Sequence, residues 1–352
     1  MKKSAAVILL LCSIGFAHAQ TGSQGDPESN FEYLWKLFDE HYGIFLPKRV
    51  DWDLLYKIYR PRVTPETTDD ELFDVMSNML GHLNDNHVIL QSPSRRFGGG
   101  ILQNLKKEGF SADLVKKKYL HDKYETRMKD RFFFGWLSKT IGYLHFDGFG
   151  NMKESAAVMD EILEEFKDAA GIVVDVRFNH GGSDRVGKTI ADRFADKKRL
   201  YMTTQIRKGP RHDDFMPPRY FYVEPGGPLQ FTKPVILLIH RWSVSAADNF
   251  AMAMRTLPHV TLVGETTSGC QADMSWRKLP NGWQVSVAYT LFVDQNGFSW
   301  EGIGIPPDLR QLNTREEIEN GIDRQLQLAV DLISSGAMKP RTEPRPFPII
   351  KK

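Results

Sequence analysis

Ser245 is the residue best placed to do chemistry. It follows the apolar, β-branched run Val235-Ile236-Leu237-Leu238-Ile239 and the polar break His240-Arg241-Trp242-Ser243, and it precedes apolar residues at helical spacing (Ala247, Phe250, Ala251, Met254). A serine at a strand-to-helix junction lies beside unpaired N–H groups and the positive end of the helix dipole, which favour an anion. A serine nucleophile needs that support for the oxyanion it creates. The same position also suits a helix-capping serine, Ser243 or Ser245, and this stretch alone leaves both roles open.

A second element of chemistry is Gly181-Gly182, after the apolar run Gly171–Arg177. Paired glycines permit positive φ and leave N–H groups unshielded, so they can aim a donor at a bound oxygen or simply make a tight turn. His87 follows the polar turn Leu83-Asn84-Asp85-Asn86 and opens a short strand, a place where structural histidines are common. A loop rich in glycine and proline, Ser299–Asp308, carries Glu301. The ten histidines are scattered, without HExxH or CxxC, so no metal site and no cofactor is expected. Nothing near Cys270 in sequence lowers its pKa, and it reads as a bystander.

These residues need a scaffold. Ile141–Phe146 reads as a strand, Lys153–Phe166 as a helix and Gly171–Arg177 as a buried strand. A Gly-Gly turn and a helix to Phe194 follow, which is βαβ grammar and implies a parallel sheet. Upstream, three amphipathic helices are expected: from an N-cap at Ser29 to Gly43, from Asp51 to Pro61, and from Thr68 to Gly81. Residues 83–135 are charged and poor in apolar anchors, and read as a linker or lid segment that carries His87. The proline-rich stretch 203–230 reads as a surface excursion walling a groove. Trp283–Tyr289 alternates as a strand, and 315–334 reads as one closing helix.

Composition narrows the class. A chain of 352 residues with 41% hydrophobic and 26% charged residues fits one large α/β domain with a smaller appendage. A formal net charge of +2 gives no field that argues for nucleic acid. Lys2-Lys3, the apolar stretch Ala5–Phe16 and Ala17-His18-Ala19 make a secretory signal over residues 1–19, too short for a stable membrane span. The expected location is the periplasm or cell envelope of a bacterium, or otherwise the secreted fraction. Of two cysteines, Cys12 leaves with the signal, so no intramolecular disulfide is expected.

Taken in order, the segments resemble the C-terminal-processing (tail-specific) serine peptidase family, in the branch of the tricorn core and interphotoreceptor retinoid-binding protein. The resemblance rests on Leu83-x-Asp85-x-His87, Ile141-Gly142-Tyr143-Leu144 and Asp175-x-Arg177-x-Asn179-x-Gly181-Gly182. It continues through Ser245-Ala246-Ala247-Asp248, Gly264-x-x-Thr267-x-Gly269 and Trp300-Glu301-Gly302-x-Gly304. The tail-specific branch places a lysine 25 positions after the serine, and here that residue is Cys270. The resemblance therefore implies the histidine-based relay: Ser245 as nucleophile, His87 as base, Glu301 as orienting carboxylate and Asn86 at the bridging position. The N–H groups of Gly181 or Gly182 and of Ala246 would hold the oxyanion. It also implies an α/β fold, a ClpP/crotonase-like spiral of ββα units with an N-terminal three-helix subdomain.

The expected organisation is a signal over 1–19, helical subdomain 20–82, linker or lid 83–135, peptidase domain 136–335 and tail 336–352. The expected activity is endopeptidase action on a polypeptide or peptide. The alternative is a non-catalytic ligand- or peptide-binding protein on the same scaffold.

Overall fold

The computed structural model describes residues 25–336 and 338. The expected signal segment 1–19 and the tail beyond 338 lie outside the described residues. The chain opens with helices α1 (Pro27–His41), α2 (Phe45–Lys48), α3 (Trp52–Tyr59) and α4 (Asp69–Gly81). Asp26, not Ser29, caps α1: its side chain accepts the Ser29 N–H, and Pro27 occupies the first turn where no donor is needed. Asp51 caps α3, and Thr68 with Glu71 forms a capping box on α4.

Strands β1 (Ile89–Gln91) and β2 (Arg96–Gly98) follow, then a helical turn α5 (Ala112–Leu114). The hairpin β3 (Tyr124–Arg127) and β4 (Phe132–Trp136) leads into β5 (Ile141–Phe146), α6 (Met152–Glu165), β6 (Gly171–Asp175) and α7 (Asp184–Ala191). Next come β7 (Arg199–Ile206), β8 (Arg219–Val223), β9 (Val235–Ile239), α8 (Ala246–Arg255) and β10 (Val260–Gly264). The chain ends with β11 (Met274–Lys278), β12 (Gln284–Ala288), β13 (Thr290–Asp294), β14 (Leu309–Arg310), α9 (Arg315–Glu319) and α10 (Arg324–Ser334).

This is the mixed α/β architecture expected. Its centre is a seven-stranded sheet in the order β14-β10-β9-β6-β5-β4-β3. Five strands run parallel from β14 to β5, with Val174 opposite Leu237 and Leu262 opposite the same Leu237. Helices α6, α7 and α8 cover one face over Leu144, Val174, Leu237 and Leu262; α10 covers the other over Val173, Ile236 and Leu238. Strands buried on both faces explain the unbroken apolar runs in β6, β9 and β10.

Three segments depart from the sequence reading. Residues 83–135 are not simply a linker: β3 and β4 extend the central sheet antiparallel, and Phe132, Phe133 and Phe134 are buried. The charge around them lies in the turn after β3 and on the partly exposed edge strand β3 itself, while the three phenylalanines face both sides of the sheet. Residues 203–230 are only partly loop, since β7 pairs with β8 on one side and β13 on the other in a three-stranded sheet, and Pro210, Pro217 and Pro218 fall between β7 and β8. The closing helix is two helices, parted at Asn320-Gly321 and restarted by the Asp323 cap.

The helical segment does not pack alone. Phe31, Leu34, Trp52 and Phe73 share a core with Val88, Leu90, Trp283, Val285 and Val287 from β1, β12 and their flanks. The sheet β11-β12-β1-β2 thus joins the N-terminal helices to the chain around His87. Among the described residues, no helix is long and apolar enough to cross a membrane.

Candidate active site

Parallel β strands leave a crevice beyond their carboxyl ends, where ligands bind in open α/β sheets. Gly181-Gly182 follows β6 there and Ser245 follows β9. The stretch Asp175–Asn179 fixes the first loop. Arg177 is fully buried and donates to Asp175, Asp323 and Gln325, tying β6 to the start of α10. Burial opposes ionisation of Asp175, but the Arg177 guanidinium outweighs it and holds the carboxyl far below its ordinary value. Asn179 donates to the Phe146 carbonyl at 2.9 Å, accepts the Gly181 N–H at 2.9 Å, and offers its own carbonyl to Val244 N–H at 2.9 Å. One asparagine therefore couples both loops.

Ser245 stands at the N-cap of α8 with φ 61° and ψ −120°, a region that L side chains rarely adopt. Its side chain makes no capping bond, so capping is not its role. Ser243 is the structural serine: its hydroxyl donates to Val176 O at 2.8 Å and accepts from His240 N–H. Beside Ser245, the N–H groups of Ala246 and Gly182 have no intramolecular acceptor among the described residues, whereas Gly181 N–H is taken by Asn179. Of the predicted oxyanion donors, Ala246 and Gly182 are uncommitted and Gly181 is not.

His87 is held by its backbone. Its N–H donates to Asp85 at 2.8 Å, and its carbonyl accepts from Ser286 on β12 at 2.6 Å. Burial lowers the His87 pKa, and Asp85 and Asp273 pull the other way. Its Nδ1 is buried and has no hydrogen-bond partner among the described residues. Ser245 and His87 share no hydrogen bond, but they border one cluster. Asp248, one turn along α8, accepts from Ser268 Oγ at 2.6 Å and Gly269 N–H at 2.8 Å. That loop brings the Cys270 thiol within 4.8 Å of a His87 ring nitrogen and an Asp85 oxygen.

Glu301 closes the cluster. One oxygen accepts the N–H groups of Gln271 at 2.8 Å and Ala272 at 3.2 Å; the other makes no hydrogen bond and lies 3.8 Å from Lys48 Nζ. Burial first, then the Asp85 charge, pushes its carboxyl up to about 8, against the pull of Lys48. The Asn86 side-chain oxygen accepts the Leu102 N–H at 3.0 Å, toward the 99–104 loop, and no hydrogen bond joins Asn86 to His87 or Glu301 among the described residues. The sequence before His87 carries no signal of where the Asn86 amide will turn, and the Leu102 donor, 16 residues on, is invisible locally.

Several neighbours escape a reading of the sequence alone. Tyr42 of the helical segment donates to Asp85 at 2.8 Å, and Lys48 reaches Glu301 and the Asn84 carbonyl. Gln271 donates to Asn249, which donates in turn to Asp184, whose carboxyl burial pushes up to about 6.

A serine freed from capping at a strained turn, beside two uncommitted N–H donors at the carboxyl ends of a parallel sheet, is a setting suited to a nucleophile. The comparisons agree. The sequence matches peptidase family S41 over residues 140–311 and the tricorn protease C1 domain over residues 24–81. A crystal structure of a Parabacteroides merdae protein assigned as a peptidase shares 32% identity at a TM-score of 0.80, covering 88% of this chain and 97% of that one. The tricorn protease of Thermoplasma volcanium is 27% identical over 68% of this chain. The carboxyl-terminal-processing protease of a Synechocystis species is 26% identical over 56%. The chain spans 22% and 45% of these two curated relatives' lengths. The chain belongs to peptidase family S41.

Proposed function

We propose that this chain is an exported serine endopeptidase that cleaves polypeptides through an acyl-enzyme on Ser245. The observation that carries this reading is the strained Ser245, uncapped and flanked by the Ala246 and Gly182 N–H groups. His87 takes the Ser245 proton, and the alkoxide adds to the peptide carbonyl. The two N–H groups hold the oxyanion, and His87 then protonates the leaving amine. Since Nδ1 faces the interior, Nε2 is the nitrogen that meets the serine, a bond that tightens when substrate closes the site. In this reading Glu301 is the orienting carboxyl, held beside the cluster by the Gln271 and Ala272 N–H groups.

The relatives named as carboxyl-terminal-processing proteases support a polypeptide C-terminus as substrate. Residues 20–82 then serve as a helical subdomain that carries Tyr42 and Lys48 to the site, the chain from 83 places His87, and the peptidase domain takes in β3 and β4 together with 136–335. Residues 1–19 serve as the export signal, with mature protein beginning near Gln20.

The test is hydrolysis of a quenched peptide with a free C-terminus by mature protein, beside Ser245→Ala, His87→Ala and Glu301→Gln. Loss of about 10⁴-fold or more in the first two supports the reading. Folded wild type that neither cleaves peptides nor reacts at Ser245 with a fluorophosphonate overturns it, in favour of ligand binding.

A further inference from the structure

The sequence gives no metal spacing, yet folding gathers one carboxylate, one imidazole and one thiol. Asp85, His87 and Cys270 each offer a ligand atom, and all three atoms lie within 4.8 Å of one another. Zinc bonds of about 2.0–2.3 Å place tetrahedral ligand atoms about 3.3–3.8 Å apart, so a contraction of about 1 Å closes the set. A second observation points to a cation. His87 Nδ1 is buried with no partner, and Glu301 beside the cluster keeps an oxygen without a hydrogen bond. Asp85, Asp248 and Glu301 are the charges felt by the Cys270 thiol, with Lys48 the one cation among its principal influences. Tyr42 adds only a neutral hydroxyl, on Asp85.

We propose that Asp85, His87 and Cys270 form an inhibitory site for a thiophilic divalent cation such as zinc. It rests on the assignment of His87 as the catalytic base. The balance is simple: the cation binds the Cys270 sulfur, the thiol proton leaves to solvent, and the neutral imidazole and the Asp85 carboxylate complete three protein ligands. An imidazole metallated on one nitrogen keeps its proton on the other. Such a His87 cannot accept the Ser245 proton, and the peptidase stops until the metal is removed.

Cobalt(II) titration of mature protein reads the site without substrate. Wild type is expected to bind one cobalt per chain, with a thiolate-to-cobalt charge-transfer band in the near ultraviolet. Cys270→Ala is expected to lose the band, keep peptide hydrolysis, and need more than about 100-fold more zinc for half inhibition, beyond the cost of losing an outer-sphere partner. Cys270→Ser serves in the same way should the alanine variant not fold. A folded wild type without the band overturns the proposal, as does equal zinc sensitivity of wild type and Cys270→Ala. Because the band does not depend on turnover, an inactive wild type with the band sinks the peptidase reading and leaves the metal site standing.

Discussion

Gly181 and Ser245 touch so closely that a Cβ built on Gly181 would lie 2.7 Å from that of Ser245, and 2.5 Å from the Val244 carbonyl oxygen. Gly181 also has φ +84°. Its lack of a side chain lets the β6 loop seat against the serine turn, although its own N–H is committed to Asn179. Gly181→Ala is therefore expected to displace the serine turn. Peptide hydrolysis should fall by about 10²-fold or more, and stability by roughly 1–3 kcal/mol. Full activity in this variant would show that the two loops do not need their contact.

Ser245 itself carries strain. A non-glycine residue at positive φ outside the left-handed helical well costs about 1–3 kcal/mol. Ser245→Gly removes the nucleophile and the strain together, so a thermal melt should show a rise of roughly 2–4 °C while hydrolysis disappears. A lower melting temperature would mean that the serine side chain contributes packing which the geometry does not reveal.

Much of this arrangement is legible in the sequence because it is local. The apolar runs of β6, β9 and β10 follow from burial on both sheet faces, and the caps at Asp51 and Thr68 follow from side chains that satisfy the first free N–H groups. The positions of Ser245 and Gly181-Gly182 in the loops after β9 and β6 follow from where those apolar runs end. What escaped is long-range. The aromatic strand Phe132–Trp136 hides among charged turns, and its partner Ile141–Phe146 fixes its role only once folded. The Tyr42–Asp85 bond and the Lys48–Glu301 pair form only when the helical segment closes over Glu301. Cys270, dismissed on its sequence neighbours, meets His87 across 183 positions of chain.

Asn86 separates the relay from the loop. Its oxygen holds the Leu102 N–H, and Gly100 packs against the same side chain. Asn86→Ala is expected to leave kcat within about 10-fold of wild type and to cost about 1 kcal/mol of stability through the lost bond. The readout is kcat beside a urea unfolding midpoint. A loss of activity matching that of His87→Ala would restore the amide to the relay.

The pH dependence of activity follows from burial of His87. Because its pKa is lowered from 6.5, the neutral base persists to more acid pH than an exposed histidine would. The acid limb of kcat/KM is expected below pH 6.5. Lys48→Met removes a positive charge that helps to lower it, so that limb should move upward. A limb above pH 6.5 in wild type would contradict the buried setting of the ring.

Glu301 gives the opposite sign in stability. Its carboxyl rises from an ordinary 4.5 to about 8 in the fold, chiefly through burial. The unfolded chain therefore releases this proton first as pH increases. The stability that the protonated group contributes is fully present below about 4.5 and is lost as pH rises through 8. Glu301→Gln keeps an oxygen for the Gln271 and Ala272 N–H groups and removes the titration. Lys48 then loses its partner, which offsets part of the gain. The expected result is near-equal stability of the two proteins at pH 5 and an advantage of roughly 2–4 kcal/mol for Glu301→Gln at pH 9. Urea midpoints at pH 5, 7 and 9 measure it, and parallel curves for the two proteins would mean that Glu301 is ionised in the fold across the whole range.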